Sequence, residues 1–269
     1  MPTVRVLVLR APGTNCDVET AHAFQLAGAR CQRVHIYRLR EQPRLLEQFQ
    51  VLCIPGGFSF GDDVGAGRIL AVQLQHHLGE QLHRFAEQDR LVLGICNGFQ
   101  VLIQTGLLGC GTGPQREVTL TWNDSGRFED RWVRLRCEES PCVFLRGVQE
   151  LFLPVAHAEG KFVARDQQTL RRLAAAGQLP LRYAPLVPEE GAGDPEAVLP
   201  YPDNPNGSQA NVAGMCDATG RVLGLMPHPE RYVDPAQHPH WTRQRAAEGA
   251  LPSGGQGLAL FQNAVRYFQ

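Results

Sequence analysis

Cys96 stands in "GICNG", between Gly94 and Gly98, where the apolar run "LVLGI" (91–95) meets a helix-like stretch. Cysteine ordinarily behaves as a small buried apolar residue. Here it occupies the glycine-x-nucleophile-x-glycine pattern, a strand-to-helix turn so sharp that the nucleophile projects from the top of a sheet. Two chemical consequences follow. The thiol lies at a helix N-terminus, where unpaired N–H groups and the dipole favour a thiolate. The N–H of Asn97 points where an oxyanion would form on a carbonyl under attack. The competing reading is a structural cysteine at a βα turn. That is the role expected of Cys31, Cys53 and Cys216, each inside a strand-like run.

A nucleophile needs a base. Of the nine histidines, His228 has the distinctive setting "LGLMPHPERY", directly after the last strand-like segment. Pro229 biases His228 toward an extended conformation. In an extended chain residues two apart project to one side, which sets Glu230 beside His228. A carboxylate next to an imidazole fixes its tautomer and stabilises its cation, the third-member role in a triad. A surface loop with an accidental His and Glu is the bland alternative. The second oxyanion donor is sought in "IPGGFSFGDDVGAG" (54–67), where Gly56 and Gly57 let backbone N–H groups turn inward at the carboxyl end of the sheet. That stretch lacks GxxxxGK[ST] and so is no phosphate loop. Gln100, four residues after Cys96, shares its helix face. It is either a substrate contact or a solvent-facing glutamine.

The elements that must position these groups alternate in the first hundred residues. Strands are expected at 4–9, 30–36, 51–54 and 91–95. Helices are expected at 17–28 (with Asp17 as N-cap), 67–88 and 97–107. Short apolar strands alternating with helices mean βαβ units and an open, mostly parallel sheet covered by helices, an α/β fold. After residue 115 the texture changes. Strands are expected at 117–122, 131–137 and 151–157. A helix capped by Asp166 is expected over 166–177, a long loop over 185–207, and a hairpin of 212–216 with 222–226. A final helix at 258–268 carries Leu258, Phe261, Val265 and Phe268 on one stripe. No composition break marks a linker, so residues 1–269 are read as one domain.

Composition excludes several classes. A net charge of -1 offers no long-range pull toward nucleic acid or an anionic membrane. No stretch reaches the roughly 20 apolar residues that span a bilayer. "MPTVRVLVLRAPG" has too short an apolar run, and no cleavage site, for a signal peptide. A cytoplasmic protein is expected. The cysteines at 16, 31, 53, 96, 110, 137, 142 and 216 then read as reduced thiols. None forms CxxC, so no structural zinc site, and no metal, is assigned.

Taken together, "GICNGFQ", the "PGG" loop and "PHPE" resemble the class I (triad-type) glutamine amidotransferases. The flanking "PGTNCDVETAHAF", "PGGFSFGDDVGAGRILA", "NDSGRFEDRWV", "PVAHAEGKF" and "NPNGSQANVAGM" are similar to the branch that serves phosphoribosylformylglycinamidine synthase in purine biosynthesis. The likeness runs from about residue 4 to 268. It implies a flavodoxin-like fold, with Cys96 as nucleophile, His228 as general base and acid, and Glu230 orienting it. It implies Gly57 (or Gly56) and Asn97 as the oxyanion hole, Gln100 as a glutamine contact, and the His157–Ala158 backbone near the glutamine α-carboxylate and amine. The family's "AHGEG" reads "AHAEG" here; if that glycine takes positive φ, Ala158 carries a conformational cost. The stretch 166–200 is longer than in compact relatives and has no assigned role. The resemblance implies no cofactor in this chain. Ammonia would pass to a large synthetase subunit that uses ATP and Mg, with a small bridging subunit as a further partner. A free-standing cysteine hydrolase of the same fold and a non-catalytic scaffold are the alternatives. The first lacks a downstream His-Pro-Glu, and the intact Cys, His and Glu oppose the second.

Overall fold

The computed structural model describes residues 3–109, 115–187, 197–248 and 250–269. Cys110 and the centre of the expected 185–207 loop lie outside the described residues. Five parallel strands form one half of a nine-stranded sheet: β1 (Arg5–Arg10), β2 (Arg30–His35), β3 (Val51–Ile54), β4 (Leu91–Ile95) and β11 (Val222–Leu225), in the order β2-β1-β3-β4-β11. Every residue of β3, β4 and β11 is buried, as continuous apolar runs covered on both faces must be. Antiparallel pairing extends the sheet through β10 (Val212–Cys216), β9 (Leu181–Ala184), β6 (Glu129–Cys137) and β7 (Glu150–His157). The expected hairpin is present, with Gly214 opposite Leu225. A separate antiparallel pair, β5 (Val118–Thr121) and β8 (Lys161–Ala164), lies beside it.

The helices are α1 (Asp17–Leu26), α2 (Ile36–Glu41), α3 (Arg68–Glu87), α4 (Asn97–Thr105), α5 (Gln167–Ala175), α6 (Trp241–Glu248) and α7 (Leu258–Arg266). The chain leaves β1 toward β2 in one direction and later runs from β3 to β4 in the other. Right-handed crossovers therefore send α1 and α3 to opposite faces. Accordingly α1 packs on α7, with Phe24 and Phe261 rings edge to face at 4.8 Å, while α3 packs on α4. No helix among the described residues is long and apolar enough to cross a membrane.

Several local expectations shift. Asp17 is the first residue of α1 rather than its cap; its carboxylate pairs with Arg10 at 2.8 Å and Arg33 at 3.1 Å. Two cations outside the helix outcompete the helix's own N–H groups for it. β2 stops at His35 because that side chain accepts from Tyr37 N and starts α2. Asp166 does cap α5, accepting from Thr169 N at 2.7 Å. On α7 the buried stripe is Leu260, Phe261, Ala264 and Val265, which shares Phe261 and Val265 with the one expected. Leu258 and Phe268 sit only at its margin.

The direction reversal makes a switch point between β1 and β3. Open α/β sheets bind ligands outside the carboxyl ends of their strands at such a point. The loops after β1, β3, β4 and β11 all emerge there.

Candidate active site

Cys96 joins β4 to α4 with φ 51° and ψ -105°, a backbone that costs a non-glycine residue about 1–3 kcal/mol. The flanking glycines are sterically required. A Cβ on Gly94 would lie 2.7 Å from Gly98 O, and one on Gly98 would lie 1.8 Å from Ile54 O. The turn is anchored by Cys96 N–H donating to Leu225 O at 2.7 Å. As the first residue of α4, Asn97 has no intrahelical acceptor for its N–H, which stays available beside the thiol.

His228 comes from the loop after β11. Its N–H donates to Pro154 O at 2.8 Å, and its Nδ1 lies 2.6 Å from Glu230 Oε1. The pairing expected from the sequence is present, but the backbone route differs. Pro229–Arg231 form a short 3-10 turn after His228, so a turn and not an extended strand brings the carboxylate round. Both side chains are almost wholly buried. Burial works against a charge on His228. The Glu230 carboxylate, helped by the nearby Cys96 and Cys16 sulfurs, outweighs it and holds the imidazole pKa well above its ordinary value. Nε2 makes no formed hydrogen bond, and the Cys96 thiol is within reach of the ring.

Cys96 borders a cavity of about 860 Å³ that is also lined by Gly57, Gln100, His157, Ala158 and Glu159, among others. Gly57 is bridged to Thr14 of the loop after β1. The bonds around that bridge run from Phe58 N to Gly13 O (3.0 Å) and from Cys16 N to Gly56 O (3.3 Å), leaving the Gly57 N–H out of them. Gln100 is buried, which removes the solvent-facing reading; its Nε2 donates to Glu159 O at 2.5 Å and its Oε1 accepts from Asn97 Nδ2 at 3.0 Å. His157 faces Asn123 Oδ1 at 3.2 Å, and burial, aided by the charge on His228, lowers its pKa to about 3. Ala158 is not among the positive-φ residues, so the anticipated cost of alanine there does not arise. Its carbonyl accepts from Asn123 N at 2.8 Å.

Four neighbours escaped the sequence reading. Asp62 has φ 53° and accepts from Gly67 N and Asn97 Nδ2 at 3.1 and 3.0 Å. Burial raises its pKa despite those donors. Glu159 accepts from Ala66 N, and Arg68 lines the same cavity. Cys16 lies behind His228. Only the run of small and acidic residues in "FGDDVGAG" hinted at the first. A Cys16 sulfur, a His228 nitrogen and a Glu230 oxygen fall within 4.8 Å of one another, metal-ligand spacing. The Arg231 guanidinium donates to that sulfur at 3.2 Å, and His228 Nδ1 lies 2.6 Å from Glu230 Oε1, so hydrogen bonds hold these side chains.

A family model described as the CobB/CobQ-like glutamine amidotransferase domain matches residues 3–268. The phosphoribosylformylglycinamidine synthase subunit PurQ of Dehalococcoides mccartyi is 45% identical over 268 residues, 99% of this chain and 98% of its own. That of Methanococcus maripaludis is 39% identical, covering 98% of this chain and 97% of its own. Among solved structures, a chain of PurLQS from Thermotoga maritima superposes with a TM-score of 0.72 at 28% identity, covering all of both chains. The chain therefore belongs to the glutamine amidotransferases, within the family of PurQ subunits.

Proposed function

We propose that this chain is the glutaminase of a phosphoribosylformylglycinamidine synthase, releasing ammonia from glutamine for a separate synthetase subunit. The observation that carries the reading is the Glu230–His228 pair, at 2.6 Å, within reach of a thiol on a strained elbow at the cavity edge. The Cys96 sulfur attacks the side-chain amide carbon of glutamine. The charge on the carbonyl oxygen falls to the N–H groups of Asn97 and Gly57, fixed dipoles that need no reorganisation. His228, charged and steadied by Glu230, gives its proton to the departing nitrogen. Ammonia leaves and a γ-glutamyl thioester remains. His228 then takes a proton from water, the hydroxide attacks the thioester carbon, and glutamate and the thiolate are released. The cavity wall carries both signs of charge, with Asp62, Asp63 and Glu159 against Arg68, which suits the ammonium and carboxylate of a free amino acid. The ATP-dependent step on formylglycinamide ribonucleotide falls to the large subunit, with a small bridging subunit as a further partner.

The test is reconstitution with the synthetase. Cys96→Ser should abolish amidine synthesis from glutamine and spare synthesis from added ammonium salt. Retained glutamine use, or loss of the ammonium reaction, would sink the division of labour. The isolated chain should release glutamate slowly and speed up when its partner and nucleotide substrates are added. Fast, partner-independent hydrolysis would favour the free-standing hydrolase.

A further inference from the structure

Cys16 takes no part in the chemistry above. It closes the loop after β1 and directly precedes α1, yet its side chain caps no helical N–H. Instead the buried thiol donates to Asn15 Oδ1 at 3.1 Å and accepts from Arg231 Nη2 at 3.2 Å. His228 lies on its other side. A Cβ on Gly56 would sit 2.8 Å from His228 Cε1 and 3.1 Å from Cys16 Sγ, so the glycine leaves the gap in which sulfur and imidazole meet.

The backbone of Cys16 holds a different part of the site. Its N–H donates to Gly56 O at 3.3 Å. In a trans peptide the C=O and N–H point opposite ways. Binding the Gly56 carbonyl therefore sets the direction of the Gly57 N–H, the donor assigned to the oxyanion. A side chain at Gly57 would drive into the same segment, 2.7 Å from Asn15 N. Arg231 completes the link from the far end: its Nε donates to Glu19 Oε1 on the first turn of α1 at 3.0 Å. One residue thus touches three loops that the chain separates widely: its own, the oxyanion loop after β3 and the histidine loop after β11.

We propose that Cys16 is a positioning residue that clamps the His228–Glu230 pair and the Gly56–Gly57 peptide to each other, keeping base and oxyanion donor in register with Cys96. The proposal rests on the glutaminase reading for its kinetic arm only. A thiol suits the task. Burial raises its pKa and keeps it neutral, so it packs against a ring that gains and loses charge without adding a charge of its own. Serine can repeat the side-chain hydrogen bonds; alanine keeps only the backbone bond to Gly56 O.

The test uses the full chain reconstituted with its synthetase. Cys16→Ala should lower glutamine-dependent kcat about tenfold, with KM changed less than about threefold and ammonium-driven synthesis unaltered. Cys16→Ser should recover most of the loss. An unchanged kcat in Cys16→Ala, or a lowered melting temperature as its only effect, overturns the proposal. So does a serine variant as slow as the alanine one. A second arm needs no glutamine: iodoacetamide labelling of Cys96, mapped by peptide mass, should slow about tenfold in Cys16→Ala and recover in Cys16→Ser. An unchanged rate there overturns the clamp. If the wild type uses no glutamine with any partner, the functional reading fails while the labelling arm still decides the clamp. Should Cys16→Ala not fold, Arg231→Gln removes the donor to sulfur but keeps the thiol, and should slow labelling about threefold; no slowing rejects the clamp.

Discussion

The loop after β4 and the loop after β11 each place one side chain of the proposed catalytic pair, by opposite means. Cys96 is aimed by its own neighbours. Gly94 and Gly98 remove the two side chains that would collide, and the strained φ of 51° does the rest. His228 is aimed from a distance. Pro154, Glu230, Cys16 and, through Arg231, Glu19 fix it, and three of these belong to other elements. A nucleophile elbow is a local solution that a five-residue pattern can encode. A base that would change charge during each turnover of the proposed reaction is held by partners drawn from across the fold.

The largest effect expected is on the distant side. His228→Ala should lower glutamine-dependent activity by at least ~10⁴-fold, and Glu230→Ala by one or two orders less, because an orienting group removes less than the base it serves. Equal losses would mean that Glu230 does more than orient. Near-wild-type activity in His228→Ala would mean that a different base serves Cys96.

The local side is tested next. Gly98→Ala places a methyl 1.8 Å from Ile54 O and should cost about 3 kcal/mol of stability or more, read from urea midpoints. A variant as stable as the wild type would show that the elbow can yield and that its geometry is not locally imposed.

The smallest effect is a pH dependence that separates two buried histidines, His157 and His228. His157 has its pKa lowered to about 3, so it stays neutral in the folded chain while the unfolded chain takes up a proton below about 6.5. Its contribution is therefore present above pH ~6.5 and is withdrawn as pH falls toward 3. His228, with a raised pKa, has the opposite sign: its contribution is full below ~6.5 and is lost as pH rises through its folded value. Urea midpoints from pH 7 to 4 should show the advantage of wild type over His157→Gln shrinking with acid. An advantage that grew would reverse the assignment.

Much of the site was legible because its signals are short-range. "GICNG" predicts the elbow from sterics within five residues, and "PHPE" pairs an imidazole with a carboxylate two positions on. Even so, the conformation that joins His228 to Glu230 was misread: a proline after histidine favours extension, and nothing nearby announces the 3-10 turn. The stripe on α7 was misplaced for a related reason. Periodicity gives an apolar face, but which of two overlapping faces is buried depends on α1, whose Phe24 meets Phe261.

Short-range rules in the sequence yield the alternation of strands and helices, the parallel half of the sheet, and the elbow that carries the proposed nucleophile, because apolar period, glycine sterics and motif spacing act over a few residues. Only the tertiary structure decided what surrounds them. Asp62, Arg68 and Glu159 come to the cavity, Gln100 turns inward, and Cys16 meets both the Gly56 peptide and the His228 ring, 212 positions away. Strand order brings the carboxyl ends of β1, β3, β4 and β11 side by side, and hydrogen bonds between loops that far apart leave no periodic trace in any one of them.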